Sequence, residues 1–269
     1  MARSTWAFAL AMAATFAASG AGADYREGYA AYLRKDYATA VTAWTEAGEL
    51  GDMSAQFGLG LLYETGDGVA VDIGAAAHWY QLAAEQGDIG AQSNLGTILA
   101  KGEGIAPDYA EAMHWLGLAA EQGDVNATYE LAALYEQGYG TEQNFEAALR
   151  LYQQAAAQNH ASAQFALGLM HAAGRGVTAD LAEAVRLYQH AAAQAHPDAL
   201  IALIDAYTDG LGVAKDEITA LLWATLAASR GIPEAGARRD QLEAALSEAD
   251  IAEARRRIGP CVMSGFATC

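Results

Sequence analysis

The chain has 269 residues, of which 53% are hydrophobic and 18% charged, with a formal net charge of −18. So strong an acidic balance repels phosphate-rich surfaces and argues against nucleic acid or an anionic membrane as a partner. Two cysteines, Cys261 and Cys269, both in the last nine residues, exclude a disulfide-dense scaffold.

Residues 1–23 read as an export signal. Arg3 precedes an apolar run from Trp6 to Ala18, and Ala21-Gly22-Ala23 supplies the small residues a signal peptidase requires, so cleavage is expected before Asp24. The run is shorter than the ~20 residues of a spanning helix, and no later run reaches that length, so stable membrane insertion is not expected. Removal of the leader leaves 14 basic against 33 acidic residues. The expected location is the periplasm, with secretion as the alternative.

Residues 24–50 read as a shorter N-terminal capping unit in which Asp36 and Ala40 keep the spacing of the later blocks but no Gly-x-Gly turn is present. From Gly51 the chain repeats itself every 36 residues without insertion. Blocks run 51–86, 87–122, 123–158, 159–194 and 195–230. Alanine recurs at 55, 91, 127, 163 and 199, leucine at 59, 95, 131, 167 and 203, and glycine at 66, 102, 138, 174 and 210. A period of this length marks stacked supersecondary units rather than one globular core.

Each block predicts two helices. Ala55, Leu59 and Tyr63 are four residues apart and share one face of a first helix over about Ser54 to Glu64. Gly66 and Gly68 end it, and Asp72 opens the second helix as N-cap, a position filled later by Asp108, Asn144, Asp180 and Asp216. The second helix carries Ala76, Trp79, Tyr80, Ala83 and Ala84 and ends near Gln86. Residues 231–258 read as capping helices, with Ser247 as an N-cap and a helix ending in Arg255-Arg256-Arg257. Residues 259–269 are a tail holding both cysteines, for which a Cys261–Cys269 disulfide is expected in an oxidising compartment.

These residues carry a resemblance. Ala55, Leu59-Gly60, Tyr63, Gly66-x-Gly68-Val69, Asp72, Ala76, Trp79-Tyr80 and Gln86-Gly87-Asp88 closely resemble the Sel-one-like repeat, a relative of the tetratricopeptide repeat, over residues 51–230. The resemblance implies an all-α fold, a right-handed α/α solenoid. Departures fall in blocks four and five, where Asn159-His160 and Ala195-His196 replace Gly-Asp and His171 replaces tyrosine, so those units are expected to be looser. A cysteine-rich branch of the family is associated with penicillin binding or β-lactam hydrolysis; its hallmark is a disulfide in each repeat, and blocks one to five contain no cysteine.

Several apparent chemical motifs become scaffold in this register. Gly66-x-Gly68 and its copies follow no strand and lack the Lys-Ser or Lys-Thr of a phosphate loop. His78 and His114 are one repeat apart, on the order of 10 Å or more at ordinary helix spacing, whereas zinc ligands converge to about 2 Å from one ion. His190 and His196 have no triad or paired carboxylates beside them. No catalytic residue, cofactor or metal is expected.

Function is expected where blocks differ. The resemblance implies a concave wall built by the first helices, which assigns to it Phe57, Leu61 and Glu64, then Ser93 and Thr97, then Tyr129, Ala133 and Glu136, then Phe165 and Leu169, then Ile201 and Asp205. Apolar anchors rimmed by acids suit a protein or peptide segment with basic flanks. Equally, Phe57, Tyr129 and Phe165 suit packing between repeats, and both readings stand on the sequence. Arg238, Arg239 and Arg255 to Arg257 form a basic end that suits either a helix C-terminus or a second, anion-facing contact. The expected activity is an adaptor in a signalling or envelope-assembly complex. The competing class, a periplasmic hydrolase acting on cell-wall or β-lactam material, needs a reactive Ser or Cys beside a base, and no such set is present.

Overall fold

A computed structural model describes residues 21–263, with side chains from Tyr25 onward. Residues 1–20 of the expected leader lie outside the described residues, and residues 21–23 lie in the first turn of α1. Among the described residues the structure is α-helical, in helices joined by turns. They are α1 (Ala21–Leu33), α2 (Tyr37–Glu49), α3 (Met53–Thr65), α4 (Ile73–Glu85), α5 (Ile89–Lys101), α6 (Tyr109–Glu121), α7 (Val125–Gln137), α8 (Phe145–Ala157), α9 (Ala161–Ala173), α10 (Leu181–Ala193), α11 (Pro197–Asp209), α12 (Glu217–Ser229), α13 (Pro233–Ala245) and α14 (Glu248–Met263). The architecture is an all-α solenoid of helix pairs. It divides into two compact units, one through Ala91 and one from Gln92.

In the first unit, Gly66 ends α3 with φ +78° and its N–H donates to the Leu62 carbonyl. A residue with a Cβ would cost about 1–2 kcal/mol in that conformation. Asp72 then caps α4 by accepting from the Ala75 amide at 2.9 Å. The expected core row is in place: Ala55 and Leu59 are fully buried, with Trp44, Ala40 and Ala47 from α2 completing the cluster. The opening helix pair is an aromatic unit. Trp44 stacks on Tyr25 with ring centroids 6.1 Å apart and donates its indole N–H to the Tyr25 carbonyl at 3.1 Å.

The second unit repeats this grammar. Asp108, Asn144, Asp180 and Asp216 each cap a second helix, and Ala127, Ala163 and Ala199 are fully buried beside Leu131, Leu167 and Leu203. Its largest core lies toward the C-terminal end, where Trp223, Leu221 and Leu222 of α12 are buried with Leu200, Leu203 and Ile204 of α11. Glutamines add a polar ladder that periodicity alone did not suggest. Gln122 donates to Gln92 and Gln194 to Gln164, each at 2.8 Å, as Gln86 does to Gln56 at 2.7 Å in the first unit.

The C-terminal helix differs from expectation. Ser247 caps it, accepting from the Asp250 amide at 3.2 Å, but the helix does not end at Arg257. It continues through Pro260 to Met263, with Cys261 buried in its last turn. The three arginines therefore sit within the helix rather than at its C-terminal dipole. Cys261 is disulfide-bonded; Cys269, its expected partner, lies outside the described residues.

Candidate interaction surface

The first helix of each of the five repeats is held at its start by one side-chain cap. Asp52 accepts from the Ala55 amide at 2.9 Å, Asp88 from Ala91 at 2.7 Å and Asp124 from Ala127 at 2.6 Å. Burial pushes the Asp88 carboxyl above the usual carboxylate range, opposed by the amides of Ala91 and Gly90. In the fourth and fifth repeats the capping atom is an imidazole nitrogen. His160 Nδ1 accepts from the Ala163 amide at 3.1 Å and His196 Nδ1 from Ala199 at 3.3 Å. By sequence these histidines are departures from the repeat pattern; in the structure they fill the capping slot. The signal that could have found them is positional, since the slot demands a short-range acceptor and a neutral imidazole supplies one.

Each aromatic of the expected wall is half-buried. In the first unit Phe57 lies 5.7 Å, centroid to centroid, from Tyr80 of its own second helix, and its far edge rests over Gly90. In the second unit Tyr129 lies 5.7 Å from Tyr152 and 4.9 Å from the His160 ring. Phe165 repeats this, 5.4 Å from Tyr188 and 4.8 Å from His196. One side of each ring thus joins two repeats, while part of it stays open to solvent. The two readings left open by the sequence describe the same residue.

The remaining wall residues divide. Leu169 is 43% exposed, Leu61 and Ile201 are half-buried, and Ile201 packs on the C-terminal core. Ser93 is 7% exposed and donates its hydroxyl to Asp124 at 3.2 Å, so it forms part of the interior instead of the wall. Thr97 returns its hydroxyl to the Ser93 carbonyl at 2.9 Å, and Ala133 is half-buried. The acids have partners within the fold. Glu64 accepts from the Tyr80 hydroxyl at 2.7 Å, and Glu136 from the Tyr152 hydroxyl at 2.9 Å. Burial, with the Glu136 carboxylate second, raises the Tyr152 hydroxyl far above its ordinary range. Glu136 also pairs with Arg175 at 3.1 Å, and Asp205 pairs with Arg238.

Glu130, beside Tyr129, was not picked out by sequence reasoning. It is half-buried, and desolvation raises its carboxyl against the opposing charge of Lys101. A glutamate among small residues in this repeat column has no marker in the sequence; its burial comes from neighbouring helices.

The basic end is internally matched. Arg239 pairs with Asp240 at 2.6 Å, Arg255 with Glu243 at 2.9 Å and Arg256 with Glu253. Arg257 reaches Glu253 at 2.7 Å and Asp216 at 3.7 Å. His78 and His114 are exposed, lying against Trp79 and Trp115 of their own helices. Among the described residues no three His, Cys, Asp or Glu side chains converge as a metal set, and no helix is long and apolar enough to cross a membrane.

Comparison with known proteins supplies the frame for this surface. The Sel1 repeat family model matches residues 54–88, 89–124, 125–160, 161–196 and 199–232. Among solved structures, a Sel1 repeat protein from Oxalobacter formigenes is 34% identical with a TM-score of 0.71, over 79% of this chain and 84% of that one. A protective antigen of uropathogenic Escherichia coli displaying an SLR fold is 25% identical with a TM-score of 0.57, over 93% of this chain. This chain spans 63% of that protein's length. No curated protein matches.

Proposed function

The chain belongs to the Sel1 repeat family, and on that premise we propose that it is a non-catalytic adaptor of the bacterial cell envelope, exported to the periplasm. It holds a peptide or protein segment on the exposed side of its first helices. Proteins of this family are generally protein-interaction scaffolds, and the proposal adds to that a location and a contact face. The observation that carries it is the recurrence of a half-buried ring at one first-helix position, Phe57 in the first unit and Tyr129 and Phe165 in the second. Exposed Leu169 stands one turn beyond Phe165. Half-buried aromatics beside aliphatic groups are the usual anchors of partner recognition. The segment bound is apolar at its anchors, with basic flanks drawn by the excess of 33 acidic over 14 basic residues that remains after the leader.

The leader-like start and disulfide-bonded Cys261 support the location. Affinity isolation of the processed protein in low salt tests the face, using Leu169→Asp as the variant because that side chain is exposed and its replacement leaves the core untouched. The expected result is loss of one specific partner with an unchanged melting temperature. Retention of every partner by the variant, together with turnover of wall or β-lactam material by the pure protein, would refute the adaptor reading.

A further inference from the structure

Three repeats begin their first helix with an aspartate cap and two with a histidine, and the exchange alters what the cap responds to. A ring nitrogen that accepts an amide proton carries none itself, so His160 and His196 cap as neutral imidazoles protonated at Nε2. For His160 the other ring nitrogen fixes this form, since Nε2 lies 3.2 Å from the Asn126 Oδ1 acceptor on α7. The two caps are also where the backbone departs from glycine. Asn159 and Ala195 hold φ +68° and +66° at the position filled by Gly51, Gly87 and Gly123 in the other repeats.

We propose that His160 and His196 are proton-operated helix caps, each closed when neutral and released on acidification. A proton on Nδ1 turns the acceptor into a donor facing the Ala163 or Ala199 amide, and it sets a positive charge against the positive end of the helix dipole. The rings resting on Tyr129 and Phe165 are released by the same event. The candidate contact face is therefore coupled to pH, although the caps act whether or not a partner binds there.

The groups around each ring are few. His160 is faced by Asn126 and Tyr129 from α7, by the Asp124 carboxylate ahead of α7 and by His196. His196 is faced by Phe165 from α9, with Asp198 in its own first helical turn. Burial is the largest influence on both and holds each below the ordinary histidine range, outweighing Asp124 and Asp198, which favour the proton. With the folded value depressed below the unfolded one, the stabilisation is fully present above about pH 6.5 and is lost as pH falls from there through the folded value.

Amide exchange at Ala163 and Ala199 between pH 7.5 and 5.0, corrected for the intrinsic rate, reads the caps directly. Ala127, capped by Asp124, is the internal reference. In the wild-type protein, protection at Ala163 and Ala199 is expected to fall about fivefold relative to Ala127, the equivalent of one lost N-cap each. In His160→Asp/His196→Asp, which restores the cap of the other repeats, the relative loss is expected to vanish. His160→Asn/His196→Asn caps without titrating and serves if the added carboxylates disturb the fold. Equal pH dependence at all three amides in the wild type, or the same relative loss in either variant, overturns the proposal.

Discussion

In the fourth repeat Gly168 of α9 lies under Tyr188 of α10, and a Cβ built on it would sit 2.5 Å from the ring. The first repeat has the same pair in Gly60 and Tyr80, also at 2.5 Å. The fifth repeat reverses the sizes at those positions, with Ile204 on the first helix and Ala224 on the second, both buried. Gly168→Ile alone must displace a ring that is 7% exposed and packed on Phe165, an overpacking of about 3 kcal/mol. Tyr188→Ala alone leaves an aromatic-sized cavity, about 3–5 kcal/mol by analogy with other buried rings. The double substitution recreates the fifth-repeat pair, in which the new isoleucine occupies part of the space the ring vacates. Its destabilisation is expected to fall short of the sum of the singles by about 2 kcal/mol. Urea melts of the four proteins, followed by circular dichroism, complete the cycle, with equal m-values required because repeat arrays lose two-state behaviour when one interface weakens. Additivity of the two changes within about 0.5 kcal/mol would refute the inference that repeats exchange volume between these positions.

Gly117, in the middle of α6, has nothing within 4 Å of its absent Cβ, so Gly117→Ala is expected to raise stability by about 0.5–1 kcal/mol. Ala195→Gly relieves a left-handed alanine and is expected to stabilise by about 0.5–1 kcal/mol, after allowing for the added freedom of the unfolded chain; a loss of stability in thermal melts would contradict the assigned φ. Leu131→Ala empties a site that is 8% exposed and is expected to cost about 2–5 kcal/mol in a urea melt, with a near-zero effect refuting the core register. Tyr152→Phe removes the hydroxyl that Glu136 accepts and is expected to destabilise by about 1.5 kcal/mol, while Tyr188→Phe, with no carboxylate at that register, is expected to change stability less.

Helix pairs and most of their limits were legible because each depends on contacts within a turn or two of its own residue. The Ala and Leu rows were legible because their four-residue spacing marks one apolar face, although other helices supply what covers it. Asp72 accepts from an amide three residues on in the helix it opens and Gly66 ends one in its own turn, so spacing alone identifies both. The candidate wall was legible as a column of positions but not as a surface. Whether Phe165 faces solvent or its neighbours depends on Tyr188 and on His196, 23 and 31 residues further on in sequence. Ser93 shows the cost of that limit, since its register position suits the wall and its hydroxyl points to Asp124, 31 residues on.

By itself the sequence determined a chain of helix pairs on a 36-residue period, the residues that open and close most of those helices, and a strongly acidic charge. Only the tertiary structure decided what the exceptional residues do. It tied Glu136 to Arg175 across 39 residues, matched the C-terminal arginines to carboxylates inside the fold, and made caps of His160 and His196. Periodicity is a property of neighbours along the chain, whereas the state of a charge or a ring is set by what stacking brings to it from another repeat.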